Sequence, residues 1–96
     1  MRIFFIILFT GIANCSVSGQ QNIIDSLIHD LKHHGAEDTI RLELLNKIAF
    51  SWHQVNPDSG LVYATQQIDL AKKINHRRYE GKGFFNRGIN FWAKGM

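Results

Sequence analysis

One proline and one cysteine in 96 residues exclude a collagen-like chain, a disulfide-stapled fold and a cysteine-rich zinc scaffold. Charge is also sparse. Charged residues make up 20%, and 11 basic side chains against 8 acidic ones leave +3. The resulting pI near 9.3 falls short of a nucleic-acid footprint, and the basic residues are not gathered on one face. No nucleic-acid partner is expected. No apolar run approaches the roughly 20 residues of a bilayer-spanning helix. What remains is 45% hydrophobic residues, too many for disorder by composition, in a length that allows one small domain.

The longest apolar stretch stands first. Met1-Arg2 gives a positive end, Ile3-Phe4-Phe5-Ile6-Ile7-Leu8-Phe9 an unbroken apolar core, and small or polar residues follow through Gln21. These are the three parts of a secretory signal peptide, expected over residues 1–19 with cleavage after Ser18 or Gly19. The expected location is the periplasm or cell envelope. Cys15 opens a second reading, acylation after cleavage, although Asn14 stands where such processing wants a small residue. In the first reading Cys15 leaves with the signal and the mature chain has no thiol chemistry.

Four helices are expected in the remainder. The first, about Asn22 to His34, carries Ile24, Leu27, Ile28 and Leu31 at spacings of three and four, with Asn22 as its cap and Gly35 as a left-handed stop. It forms a lead-in over residues 20–38. The second, about Thr39 to Gln54, puts Leu42, Leu45, Ile48, Ala49 and Trp52 on a wide apolar arc, opposite Glu43, Asn46, Lys47, Phe50 and His53. Asn56-Pro57-Asp58 opens the third, which reaches about His76: a capping carboxamide, a proline in the first turn and an acid at the positive end of the dipole. Its two apolar stripes, Leu61/Ala64/Ile68/Ala71 and Tyr63/Leu70/Ile74, require neighbours on two sides. The fourth, about Tyr79 to Lys94, brings Phe84, Phe85, Ile89 and Trp92, but Gly81, Gly83 and Gly88 weaken it intrinsically. No segment alternates in the manner of a strand. The expected class is all-α.

Leu45-Asn46-Lys47-Ile48-Ala49-Phe50-Ser51-Trp52 and Phe85-Asn86-Arg87-Gly88-Ile89-Asn90-Phe91-Trp92 match in Asn, Trp and a basic residue at a spacing of 40. A period of that size built from paired helices marks an α-solenoid. Residues 56–64 and 68–74 resemble the second helix of a tetratricopeptide repeat, and Asn86-x-Gly88-x-x-Phe91-Trp92-Ala93-Lys94-Gly95 resembles the first helix and turn of the next. The resemblance covers residues 39–96, about one and a half repeats. It is closest to the long-spaced repeats of exported bacterial regulators, where they precede a membrane helix and a kinase, DNA-binding or cyclase module. It departs from them in its spacing and at Gly60, where alanine is usual. The chain stops at Met96, where the turn would lead into a partner helix. The expectation is a truncated chain, or one that dimerises or docks to cover its fourth helix.

The resemblance implies a non-catalytic module that binds a protein or peptide in a concave groove lined by Asn46, Phe50, His53, Asn86 and Asn90, with no cofactor. The alternative for Phe50 is packing on the first helix. The rival function is the regulatory N-terminal part of a sensor histidine kinase or another signalling enzyme. Membrane attachment would come only through a downstream segment or lipidation of Cys15. Other chemistry is thin. Asp25, His29 and His33 share one face at metal-ligand spacing, yet no HExxH pattern or cysteine pair accompanies them. No metal is expected, the rival being a small periplasmic metal binder. Arg77-Arg78 suits an anion or, more simply, complements a helix dipole. No nucleophile–base pair and no phosphate loop is present.

Overall fold

The computed structural model describes residues 19–95, and every regular element among them is a helix. Here α1 is helical through 19–33, α2 spans Thr39–Ser51 and continues as a 3-10 turn over Trp52–Gln54, α3 spans Pro57–Lys73 and α4 spans Arg77–Ala93. The all-α expectation holds. The proposed signal peptide and Cys15 lie outside the described residues, except for Gly19, which already belongs to α1.

Local chemistry sets the boundaries. The Asp38 carboxylate accepts from the Arg41 amide at 3.1 Å and starts α2. Asn56 accepts from Ser59 N and Pro57 occupies the first turn of α3, as the sequence requires. α3 ends in a Schellman turn: Asn75 takes φ 61°, His76 N donates to Ala71 O at 2.8 Å and Asn75 N to Lys72 O at 3.2 Å. His76 then caps α4 through Nδ1, so that helix begins two residues before the expected Tyr79. Two further expectations fail. Asn22 lies inside α1 and does not cap it. Gly35 has no positive φ; Asn75 and Gly95 are the described residues that do.

Successive helices run antiparallel. Gln20 at the start of α1 reaches Gln54 beyond the end of α2. Lys73 at the end of α3 pairs with Glu37 just before α2, and Lys94 after α4 pairs with Asp58 at the start of α3. One core joins them: Leu31 of α1, Leu42, Leu45 and Ile48 of α2, and Leu70 and Ala71 of α3 are buried together. The 40-residue period is structural as well as textual. Shifting the described part of α1 by 40 places it within α3 with the same last residue, and shifting α2 by 40 lands on α4 to within two residues at each end. Burial follows the shift in the first pair: Ile24 and Ala64 are both sealed, as are Leu31 and Ala71.

Candidate functional site

The carboxamides expected to line a groove form a buried lattice between helices. Asn86 Nδ2 donates to Asn46 Oδ1 at 2.9 Å, Gln67 Oε1 at 3.0 Å and the Asn46 carbonyl at 3.3 Å. Gln67 Nε2 donates to Asn46 Oδ1 and to the Tyr79 carbonyl, both at 3.0 Å. Asn90 Nδ2 donates to the carbonyls of Ala49 at 3.1 Å and Asn86 at 2.8 Å. Asn86 is 2% exposed, Asn90 and Gln67 are 0% exposed. Asn86 and Asn90 therefore fasten α4 to α2 and are closed to a partner's backbone, which corrects their placement in the groove. Asn46 is half-buried with its carbonyl oxygen committed to α3 and α4.

The close approach has its own requirement. A Cβ on Gly60 would stand 2.0 Å from Asn90 Oδ1, and one on Gly83 2.6 Å from Ile68 Cγ1. Gly60, a departure from the repeat pattern in the sequence, is what makes room for the Asn90 amide. Gln67 escaped sequence reasoning, although its position between the two apolar stripes of α3, four after Tyr63 and three before Leu70, marks a polar side chain that must find partners inside. Asn90 Oδ1 and Trp52 Nε1 are buried without a partner.

Phe50 and His53 remain at the surface. Phe50 is 46% exposed, its ring centroid lies 4.7 Å from that of His53, and His53 Nδ1 donates to the Phe50 carbonyl. Phe50 is not among the side chains packed on the core that α1 shares. The groove residues thus divide into carboxamides tied between helices and an aromatic pair of exposed Phe50 and half-buried His53.

A second surface is larger. Arg78, Gly81, Lys82, Phe85, Gly88, Ile89 and Trp92 fall within one side of α4 at 100° per residue. Phe85 is 63% exposed and Trp92 75%, with Ile89 half-buried beside them. Gly81 and Gly88 have open space where a Cβ would be. At the matching positions of α2, Leu45 is 1% exposed and Ile48 and Ala49 are sealed. Phe84, at the edge, is 47% exposed with Lys72 Nζ 5.7 Å from its ring centre.

Charge is laid out unevenly. The basic group expected at the end of the third helix divides: Lys72 and Lys73 occupy the last turn of α3, where they complement its dipole, and Arg77 and Arg78 sit in the first turn of α4, at the positive end of its own. No ion pair among the described residues takes up either one. By contrast Lys73 Nζ lies 2.7 Å from Glu37 Oε2, and that bond and charge hold the Glu37 carboxyl below its ordinary value. The Asp38 carboxyl is also lowered, first by the Arg41 amide and then by His34, whose Nε2 lies 2.7 Å away. Glu37 and Lys73 border an open depression of about 550 Å³ with Arg41, Asp69, Leu45 and Leu70. Its mixed charges are largely paired or solvated, with no nucleophile beside a base. On α1, Asp25 accepts from Gln21 and His33 Nδ1 donates to the His29 carbonyl; among the described residues no three metal-ligating side chains converge. No described helix is long and apolar enough to cross a membrane.

The chain matches no protein-family model, and it matches no curated protein and no solved structure.

Proposed function

We propose that this chain is a non-catalytic, tetratricopeptide-like helical module that binds a protein or peptide and works outside the cytoplasm. One observation carries the reading: on the apolar side of α4, Phe85 is 63% exposed where α2 has Leu45 at 1%, and Trp92 is 75% exposed where α2 has the half-buried Trp52. Each large apolar side chain so displayed gains about 1.5–3 kcal/mol when fully covered, and contiguous apolar patches mark interaction surfaces. The 40-residue correspondence of the two helix pairs supports the repeat architecture, and the charged-then-apolar pattern of residues 1–19 supports export. Phe50 and His53 offer a smaller aromatic contact on α2.

A Phe85→Ser/Trp92→Ser variant should keep its helical circular dichroism and lose binding of amphipathic peptides. Full retention of binding would refute the assignment. Export is checked by fusing residues 1–21 to a reporter active only outside the cytoplasm; an inactive fusion would refute that part alone.

A further inference from the structure

The α4 surface carries enough detail to name what covers it. We infer that its occupant is an amphipathic helix lying antiparallel on α4 as α3 lies on α2, with carboxylates in its last turn above Arg77 and Arg78. This rests on the binding-module reading and specifies the partner.

The internal period provides the template. α2 is covered by α3, which brings Leu70 and Ala71 onto Leu42, Leu45 and Ile48, with Tyr63 beside them. Moving that arrangement by 40 residues places the covering helix on Lys82, Phe85 and Gly88, with Trp92 at the position of Trp52. Gly88 stands where α2 has Ile48, so the outer side of α4 presents Phe85 and Trp92 as knobs with a gap between them. A second gap lies at Gly81, and both are open to a neighbouring helix.

Electrostatics fix the sign. In the covered pair, Glu37 precedes α2 and meets Lys73 from the last turn of α3. The residue 40 positions after Glu37 is Arg77, and the one 40 after Asp38 is Arg78. The charge at this corner is reversed. A helix like α3 would bring a lysine against two arginines, whereas carboxylates at that position restore the pair. Arg78 and Lys82 extend the basic end along the same side, while Glu80 lies on the far side of α4 at 100° per residue.

A second copy of this chain fits poorly. In a parallel symmetric pairing of α4 its Arg77 and Arg78 would oppose like charge, and in an antiparallel one the last turn, Asn90 to Ala93, offers them no carboxylate. On its α1, the exposed Asp30 stands where α3 carries the buried Leu70 that covers α2, so α1 lacks the apolar contact of the covering helix.

The test uses the intact chain with Trp52→Phe, leaving Trp92 as reporter, and two synthetic peptides. One has the sequence of residues 56–75; the other has the same sequence with Lys72→Glu and Lys73→Glu. The acidic peptide should shift Trp92 emission to the blue saturably and bind about two- to fivefold tighter at low salt, the range of an exposed ion pair. The difference should vanish at high ionic strength, and Arg77→Glu/Arg78→Glu in the protein should reverse the preference. Equal binding of both peptides would overturn the carboxylate assignment and leave the binding module standing. A blue shift that grows with protein concentration alone would show a second copy as the occupant and overturn the inference. A Trp92 that stays fully quenchable with both peptides overturns the inference, and the α4 reading falls with it only if unrelated amphipathic peptides also fail.

Discussion

α2 and α4 begin from nearly the same short text and end in different environments. Both carry Asn second and Trp last in the eight matched residues, and both direct that Asn into the space between helices. Asn46 and Asn86 meet each other directly. Yet Leu45 is 1% exposed and Phe85, its counterpart, is 63% exposed. The two helices meet through hydrogen bonds on their inner sides, although Asn90 is buried where its counterpart Phe50 is 46% exposed. They differ on the outer side, where α2 has α3 and α4 has solvent. A helix in a stack is specified twice, once by polar contacts to the helix of the same kind and once by apolar contacts to the helix between, and α4 satisfies only the first within this chain.

The inner side is the place to break that likeness. Gly60→Ala should be the most damaging of the small changes. Its Cβ displaces the whole Asn90 amide, which then loses its bonds to Ala49 and Asn86, for a cost of about 2–4 kcal/mol in urea denaturation. In the double variant with Asn90→Ala the loss should fall short of the sum of the single losses by about 0.5–3 kcal/mol; strict additivity would place the clash elsewhere. Asn86→Ala should cost about 2 kcal/mol, because Gln67 Oε1 and Asn46 Oδ1 each lose a donor. Asn86→Asp should be worse, since it turns a donor into an acceptor among acceptors.

The outer side predicts the opposite sign. Gly81→Ala and Gly88→Ala meet no atom and should each raise stability by about 0.5–1 kcal/mol, while Gly83→Ala, facing Ile68, should lower it. A Gly88→Ala that destabilises would mean that this side is already covered. Smallest is the pH effect at the head of α2. Glu37 and Asp38 have lowered folded-state values, so their contribution is complete above the ordinary carboxylate range and disappears as pH falls through the lowered values. Lys73→Ala should remove the part due to Glu37 and flatten the acid limb of a melting-temperature profile; an unchanged limb would show that the pair adds nothing to stability.

The helices were legible because their signals are local. Asp38 and Asn56-Pro57-Asp58 carry caps whose geometry a few residues determine, and the 40-residue echo of Asn and Trp falls on helices that themselves recur at that spacing. The role of Asn86 and Asn90 was not legible. Periodicity counts a carboxamide as polar and assigns it to the surface, whereas these two are drawn inward by backbone carbonyls and amides on α2 and α3, 19 to 41 residues away. Gly83 reads only as a weak helix former and Gly60 only as a departure from the repeat pattern for the same reason: the atoms that need their missing Cβ belong to other helices. His76 was hidden as a cap because histidine seldom signals one.

α4 leaves bare the side on which α2 is covered, and truncating one matched pair of side chains examines that directly. Leu45→Ala and Phe85→Ala should be unfolded by urea alongside the parent chain. Leu45→Ala is expected to lose about 2–5 kcal/mol, as a sealed leucine does, and Phe85→Ala to stay within about 0.5 kcal/mol of the parent. Comparable losses at the two positions would contradict the account, because they would mean that Phe85 is already packed against something.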